Sequence, residues 1–163
     1  MKKVFTFLLI ALLFFNLNVI AAAKKTATKQ YGYKGARGFG AGIVVGLASG
    51  LSLKSWIDKT SAIQIDANWN FDYGAFGVGV AYLMHNFDLI TGVQDSKFPV
   101  YFGIKGWGAF SEDVDIGIQI PIGIVWIPRT APIDVFFQIE PGLTIIPSTH
   151  GAHNAGIGIR YYF

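Results

Sequence analysis

The chain holds 163 residues, enough for one domain, and no cysteine, which excludes a disulfide framework and an anchor on an acylated cysteine. Hydrophobic residues make up 52% and charged residues 14%, an apolar balance for a soluble domain. The net charge of +3 is unevenly placed: residues 24–37 carry five bases and no acid, whereas residues 38–163 carry six bases against ten acids, a net of −4. The body therefore offers no basic surface for nucleic acid.

In chain order, Lys2 and Lys3 form a basic head, and Val4 to Phe15 is an apolar run broken only by Thr6. Ala21-Ala22-Ala23 follows, before Lys24. This order predicts a secretory signal peptide over 1–23, cleaved after Ala23. The apolar run is short for a spanning helix, which needs about 20 residues. Residues 24–37, with Lys24, Lys25, Lys29, Lys34 and Arg37, form a basic leader. It is either a solvated spacer or a contact for anionic lipid or cell-wall polymer.

From residue 38 the pattern has period two. Ile63, Ile65, Ala67, Trp69 and Phe71 alternate with Gln64, Asp66, Asn68, Asn70 and Asp72. Ile116, Ile118, Ile120, Ile122 and Ile124 alternate with Gly, Gln, Pro, Gly and Val. Ile133, Val135, Phe137 and Ile139 alternate with Asp134, Phe136, Gln138 and Glu140. Alternation over this length is strand. Turn residues cut the body into eight segments: 38–47, 50–57, 62–72, 75–85, 98–109, 114–127, 132–146 and 152–163. The break Asn86 to Lys97 is longer and has room for a helical turn.

These segments predict an all-β fold, an antiparallel transmembrane β-barrel of eight strands over 38–163. One strand face is large and apolar, which suits lipid; the other mixes glycine with ionisable groups, which suits a narrow interior. Eleven glycines fall on the inner face: 40, 42, 46, 77, 79, 103, 117, 123, 142, 156 and 158. An even strand number sets both termini on one side, the periplasm. The breaks near 48, 73, 111 and 149 then face outward, and those near 59, 86–97 and 129 face the periplasm. The last strand, Gly156 to Phe163, points Ile157, Ile159, Tyr161 and Phe163 at lipid.

Gly50-Leu51-Ser52-Leu53-Lys54-Ser55-Trp56 with Ala62-Ile63, Tyr82 to His85, Pro141-Gly142-Leu143, Ile146-Pro147-Ser148-Thr149 and the Gly-Ile-Gly-Ile-Arg-Tyr-Tyr-Phe ending resemble a family of small bacterial outer-membrane β-barrel proteins of unassigned function, with the eight-stranded OmpA-type architecture. The resemblance covers most of 38–163. It implies a location in the outer membrane, surrounding lipid and the barrel-assembly machinery as partners, and no activity. Ile159, Tyr161 and Phe163 resemble the carboxy-terminal assembly signal of such barrels.

The inner face carries Lys54, Asp66, His85, Lys105, Asp115, Asp134, Glu140 and Arg160. Buried charges cost several kcal/mol unless paired, so these are expected to form a polar network. Lys54 is expected opposite Asp66 across the Asp58–Ser61 turn, and Glu140 near-diagonal to Arg160 across the last hairpin. Trp56, Tyr101, Trp107, Phe136 and Tyr162 would fill the rest, leaving a plug rather than an ion path. Tyr31, Tyr33, Trp126, Tyr161 and Tyr162 are candidates for an interfacial aromatic girdle. Ser148, His150, His153, Glu112 and Asp113 lie near the outward rim, but neither a nucleophile–base set nor a metal-ligand spacing is diagnostic there. The expectation is a structural or interaction barrel with no cofactor and no catalytic or metal residue. The alternatives are a barrel admitting a small hydrophobic or lipid ligand, and a rim enzyme acting on lipid or peptide.

Overall fold

The computed structural model describes residues 38–70, 75–91, 93, 95–111 and 113–163. The expected signal peptide and leader lie outside these residues. Among the described residues there is no helix; every regular element is a strand. They are β1 (Phe39–Gly46), β2 (Ser49–Trp56), β3 (Ser61–Asn70), β4 (Ala75–Asn86), β5 (Ser96–Lys97), β6 (Val100–Phe110), β7 (Val114–Gln119), β8 (Ile122–Pro128), β9 (Ile133–Ile146) and β10 (His150–Tyr162). The helical turn allowed for in Asn86–Lys97 does not form in the part of that connection described.

All pairings are antiparallel, and β1 closes on β10 with Gly40 opposite Tyr162 and Gly46 opposite Gly156. The sheet is thus a barrel, and closure leaves it without an open edge. Ten strands make eight staves. Ser96 opposite Pro128, Val100 opposite Ile124 and Lys105 opposite Gln119 continue one register. Thus β5 with β6 is one stave, and β7 with β8 is another. The ladder is interrupted at Pro99 and Pro121, which have no N–H to donate. Their carbonyls still accept, from Val125 and Gly103 respectively. The expected segment 114–127 is therefore one stave with a missing rung.

Turn chemistry sets the registers. Asp58 Oδ1 accepts from the backbone amides of Thr60 and Ser61, both at 2.7 Å. These bonds, Thr60 first, hold the Asp58 carboxyl below its ordinary range. The tight turn centres on Lys59, so Lys54 faces Gln64 and Ser52 faces Asp66. The expected pairing of Lys54 with Asp66 is wrong by one residue on each strand. In the last hairpin β10 begins at His150 and the turn centres on Pro147, which sets Glu140 opposite Asn154 and Arg160 opposite Asp134. The expected Glu140–Arg160 diagonal does not exist.

Gly38 and Phe163 sit together at one end of the barrel, tied by Phe163 N to Phe39 O and Trp56 N to Gly38 O. This is called the terminus end, and the other the loop end. The connection after β4 crosses the terminus end. Phe87 turns inward against Trp56 and His85, with ring centroids 6.0 and 6.4 Å apart.

The wall is inverted relative to a soluble protein. Among the described residues thirteen polar or charged side chains are buried against nine aliphatic or aromatic ones, while Ile43, Leu51, Val80, Phe102, Ile104, Ile118, Ile139 and Ile157 are exposed. Glycine lets large inner side chains fit this narrow space. Tyr162 lies opposite Gly40, Trp107 opposite Gly117, Tyr101 opposite Gly123 and Phe136 opposite Gly158. At each of these glycines a methyl group would come within 3 Å of the facing ring.

Candidate functional site

The candidate site is the lumen, which holds two charged layers. The layer nearer the loop end is centred on Lys105, from β6. Its Nζ donates to Asp66 Oδ2 at 3.0 Å, from β3, and to Glu140 Oε1 at 2.8 Å, from β9. Gln64 Nε2 donates to Asp66 at 3.1 Å, Gln138 Nε2 to Glu140 Oε1 at 2.6 Å, and Asn154 Nδ2 to Glu140 Oε2 at 2.8 Å. The carboxylates are therefore satisfied by several donors each, the condition under which burying them is tolerable.

The layer nearer the terminus end is centred on Asp134. Arg160 Nε donates to its Oδ1 at 2.9 Å and the Tyr162 hydroxyl to its Oδ2 at 2.7 Å, and Lys54 Nζ stands 3.9 Å from Oδ2. Arg160 also stacks on Phe136, 3.9 Å from guanidinium carbon to ring centroid. Lys54 Nζ lies 4.4 Å from the Trp56 ring centroid and 2.8 Å from His85 Nε2. His85 Nδ1 is 3.0 Å from the Thr60 carbonyl, which only accepts. So Nδ1 carries the proton, and Nε2 accepts from the Lys54 ammonium. Gln64 joins the layers: its Oε1 accepts from Arg160 Nη1 at 2.7 Å while its Nε2 serves Asp66.

Lys54, Asp66, His85, Lys105, Glu140 and Arg160 are all buried, as is Asp134. Three basic side chains, Lys54, Lys105 and Arg160, thus share the lumen with three carboxylates, Asp66, Asp134 and Glu140. Asp115 is half-buried opposite Ala109 and belongs to neither layer. Tyr162, a candidate for the girdle, instead points inward and binds Asp134. Sequence reasoning missed the amides. Their signal was present: Gln64-Ile65-Asp66 and Gln138-Ile139-Glu140 repeat one inward pattern, and in both the Gln donates to the carboxylate two residues on.

Below the charges, Trp56, Leu83, Tyr101, Val125, Ile127 and Tyr162 fill the terminus half. Towards the loop end a cavity of about 10 Å³ lies between Asp66, Asn68, Lys105, Glu140 and Asn154. It has room for about one water-sized molecule, and an acyl chain would not fit. At the rim, His150 Nδ1 contacts the Ser148 carbonyl at 2.9 Å, not its hydroxyl. His153 is exposed on the outer wall, and Glu112 lies outside the described residues. Among the described residues no three His, Cys, Asp or Glu side chains gather as a metal site.

No protein-family model and no curated protein matches the chain. Among solved structures it is similar to the N-terminal β-barrel domain of Pseudomonas aeruginosa OprF, with a TM-score of 0.53 and 12% identity, covering 77% of this chain and 95% of that one. At this identity the likeness concerns the fold: an all-β antiparallel barrel.

Proposed function

We propose that the chain is an outer-membrane β-barrel protein of a double-membraned bacterium, with a structural or interaction role and a lumen closed by its own side chains. The observation that carries this reading is the inversion of the wall. Gln119 is 7% exposed and its neighbour Ile120 53%, and the same alternation runs round the barrel. A soluble protein leaving so much contiguous apolar surface in water would aggregate.

The dimensions agree with a bilayer. Phe102 to Phe110 on β6 spans about 27 Å along the strand and roughly 20 Å along the axis at a tilt of about 40°, near the apolar band of about 25 Å in outer-membrane barrels. Exposed aromatics flank it: Trp69, Phe76 and Phe110 at the loop end, and Phe39, Trp126, Tyr161 and Phe163 at the terminus end. In this reading both termini are periplasmic, and the exposed set Ile159, Tyr161 and Phe163 serves the barrel-assembly machinery. The two charged layers and the aromatic filling support a plug over a channel.

Expression with residues 1–23 in a double-membraned bacterium tests the reading. The protein should fractionate with the outer membrane, migrate on gels in a heat-modifiable way, and give no steady conductance in planar bilayers. Recovery in the soluble fraction would overturn the location, and a stable open conductance would overturn the plug.

A further inference from the structure

The terminus end carries an apolar surface that the barrel wall does not use. In the connection between β4 and β5, Leu89 is 65% exposed, Val93 47% and Ile90 37%. These residues lie past the root of the connection, where Phe87 is packed into the mouth and Asp88 N is held by Asn86 Oδ1 at 2.8 Å. Asp88 and Asp95 flank the apolar group with no base between them. The return end is fixed: Arg129 N donates to Asp95 O at 2.8 Å, and Trp126 Nε1 donates to Ser96 Oγ at 3.0 Å. Trp126 is outward-facing at the terminus-end girdle, so the connection beyond it faces water rather than the apolar band.

We propose that the occupant of this surface is the chain's own basic leader, residues 24–37, with Tyr31 and Tyr33 covering Leu89, Ile90 and Val93 and its bases facing Asp88 and Asp95. Three observations carry it. The charges are locally complementary: the leader holds five bases and no acid, against two acids and no base from Asn86 to Asp95, with Lys97 and Arg129 just beyond that stretch. The leader also starts beside the connection. It joins the barrel at Gly38, whose carbonyl accepts from Trp56 N at 3.1 Å, and Trp56 is the ring on which Phe87 packs. Tyr33 and Tyr31 stand five and seven residues before Gly38, a reach of up to about 17 and 24 Å. Tethering at that range corresponds to millimolar effective concentration, enough for contacts that would be weak between separate molecules.

The chain has no cysteine, so Gln30→Cys with Thr91→Cys gives a clean spin-label pair outside the proposed contacts. In the refolded protein starting at Lys24, the pair should give one narrow distance distribution centred below about 25 Å. It should broaden in 1 M salt, where the screening length falls to about 3 Å, in the Asp88→Asn/Asp95→Asn variant, and in Tyr31→Ser/Tyr33→Ser. Asn tolerates the positive φ of 61° at Asp95, and heat-modifiable migration reports that each variant is folded. A broad distribution unchanged by these variants would overturn the proposal, as would a narrow one that the aspartate changes leave intact. A distribution that narrows only on adding anionic-lipid vesicles, or only on adding peptidoglycan, would assign the leader to those partners and overturn it as well.

Discussion

The two halves of the lumen are enclosed by the same staves and filled in different ways. The terminus half is packed with Trp56, Leu83, Tyr101, Val125, Ile127 and Tyr162, and its charged layer pairs two cations, Lys54 and Arg160, with the single carboxylate Asp134. The loop half pairs one cation, Lys105, with two carboxylates, and beside them lie Asn68, Asn154, the cavity and Gly77, where an added methyl group would make only ordinary contacts. Bases outnumber acids by one in the terminus layer and acids outnumber bases by one in the loop layer, and Gln64 bridges the two. The difference teaches that the terminus half has the more apolar filling and depends on one acid, while the loop half is more polar and has a second acid in reserve.

The largest expected effect follows from that asymmetry. Asp134→Ala leaves Arg160 and Lys54 buried without a carboxylate and should cost about 3–5 kcal/mol. Asp66→Ala leaves Lys105 on Glu140 and should cost less, about 1–3 kcal/mol. Urea unfolding of the refolded protein in lipid measures both, and equal losses would remove the distinction between the halves.

A smaller contrast comes from glycine. A methyl group at Gly158 would run into the Phe136 ring and the Ile43 carbonyl, whereas at Gly77 the nearest atom is the Gly108 carbonyl at 3.6 Å. Gly158→Ala should cost about 1–3 kcal/mol, and Gly77→Ala should stay within about 0.5 kcal/mol. If the two changes cost the same in that assay, packing is no tighter in the terminus half.

Much of this architecture was legible in the sequence, because period two is a local property. Alternation places Lys54, Asp66, His85, Lys105, Glu140 and Arg160 on the inner face without knowledge of any pairing. Who meets whom depends on turn geometry, which composition does not carry. The two amide bonds to Asp58 shift β3 by enough to give Lys54 the Gln64 position as its neighbour and to send Asp66 to Lys105. The break of two staves at Pro99 and Pro121 was hidden for a different reason. Proline removes a rung without changing which face a side chain takes, so the alternation runs through it. Tyr162 could be assigned to the girdle as well as to the filling, since an aromatic suits both, until the register set it opposite Gly40.

The central claim is that lipid surrounds this wall and the polar side is enclosed. The chain has four tryptophans, and the structure divides them: Trp69 and Trp126 face outward, Trp56 and Trp107 inward. Fluorescence of the protein in vesicles with brominated acyl chains reads that division directly. With Trp56→Phe and Trp107→Phe together, the remaining emission should be strongly quenched by the brominated lipid. With Trp69→Phe and Trp126→Phe together, the remaining emission should be nearly unaffected. The reverse pattern, with Trp56 and Trp107 quenched and Trp69 and Trp126 spared, would contradict the account.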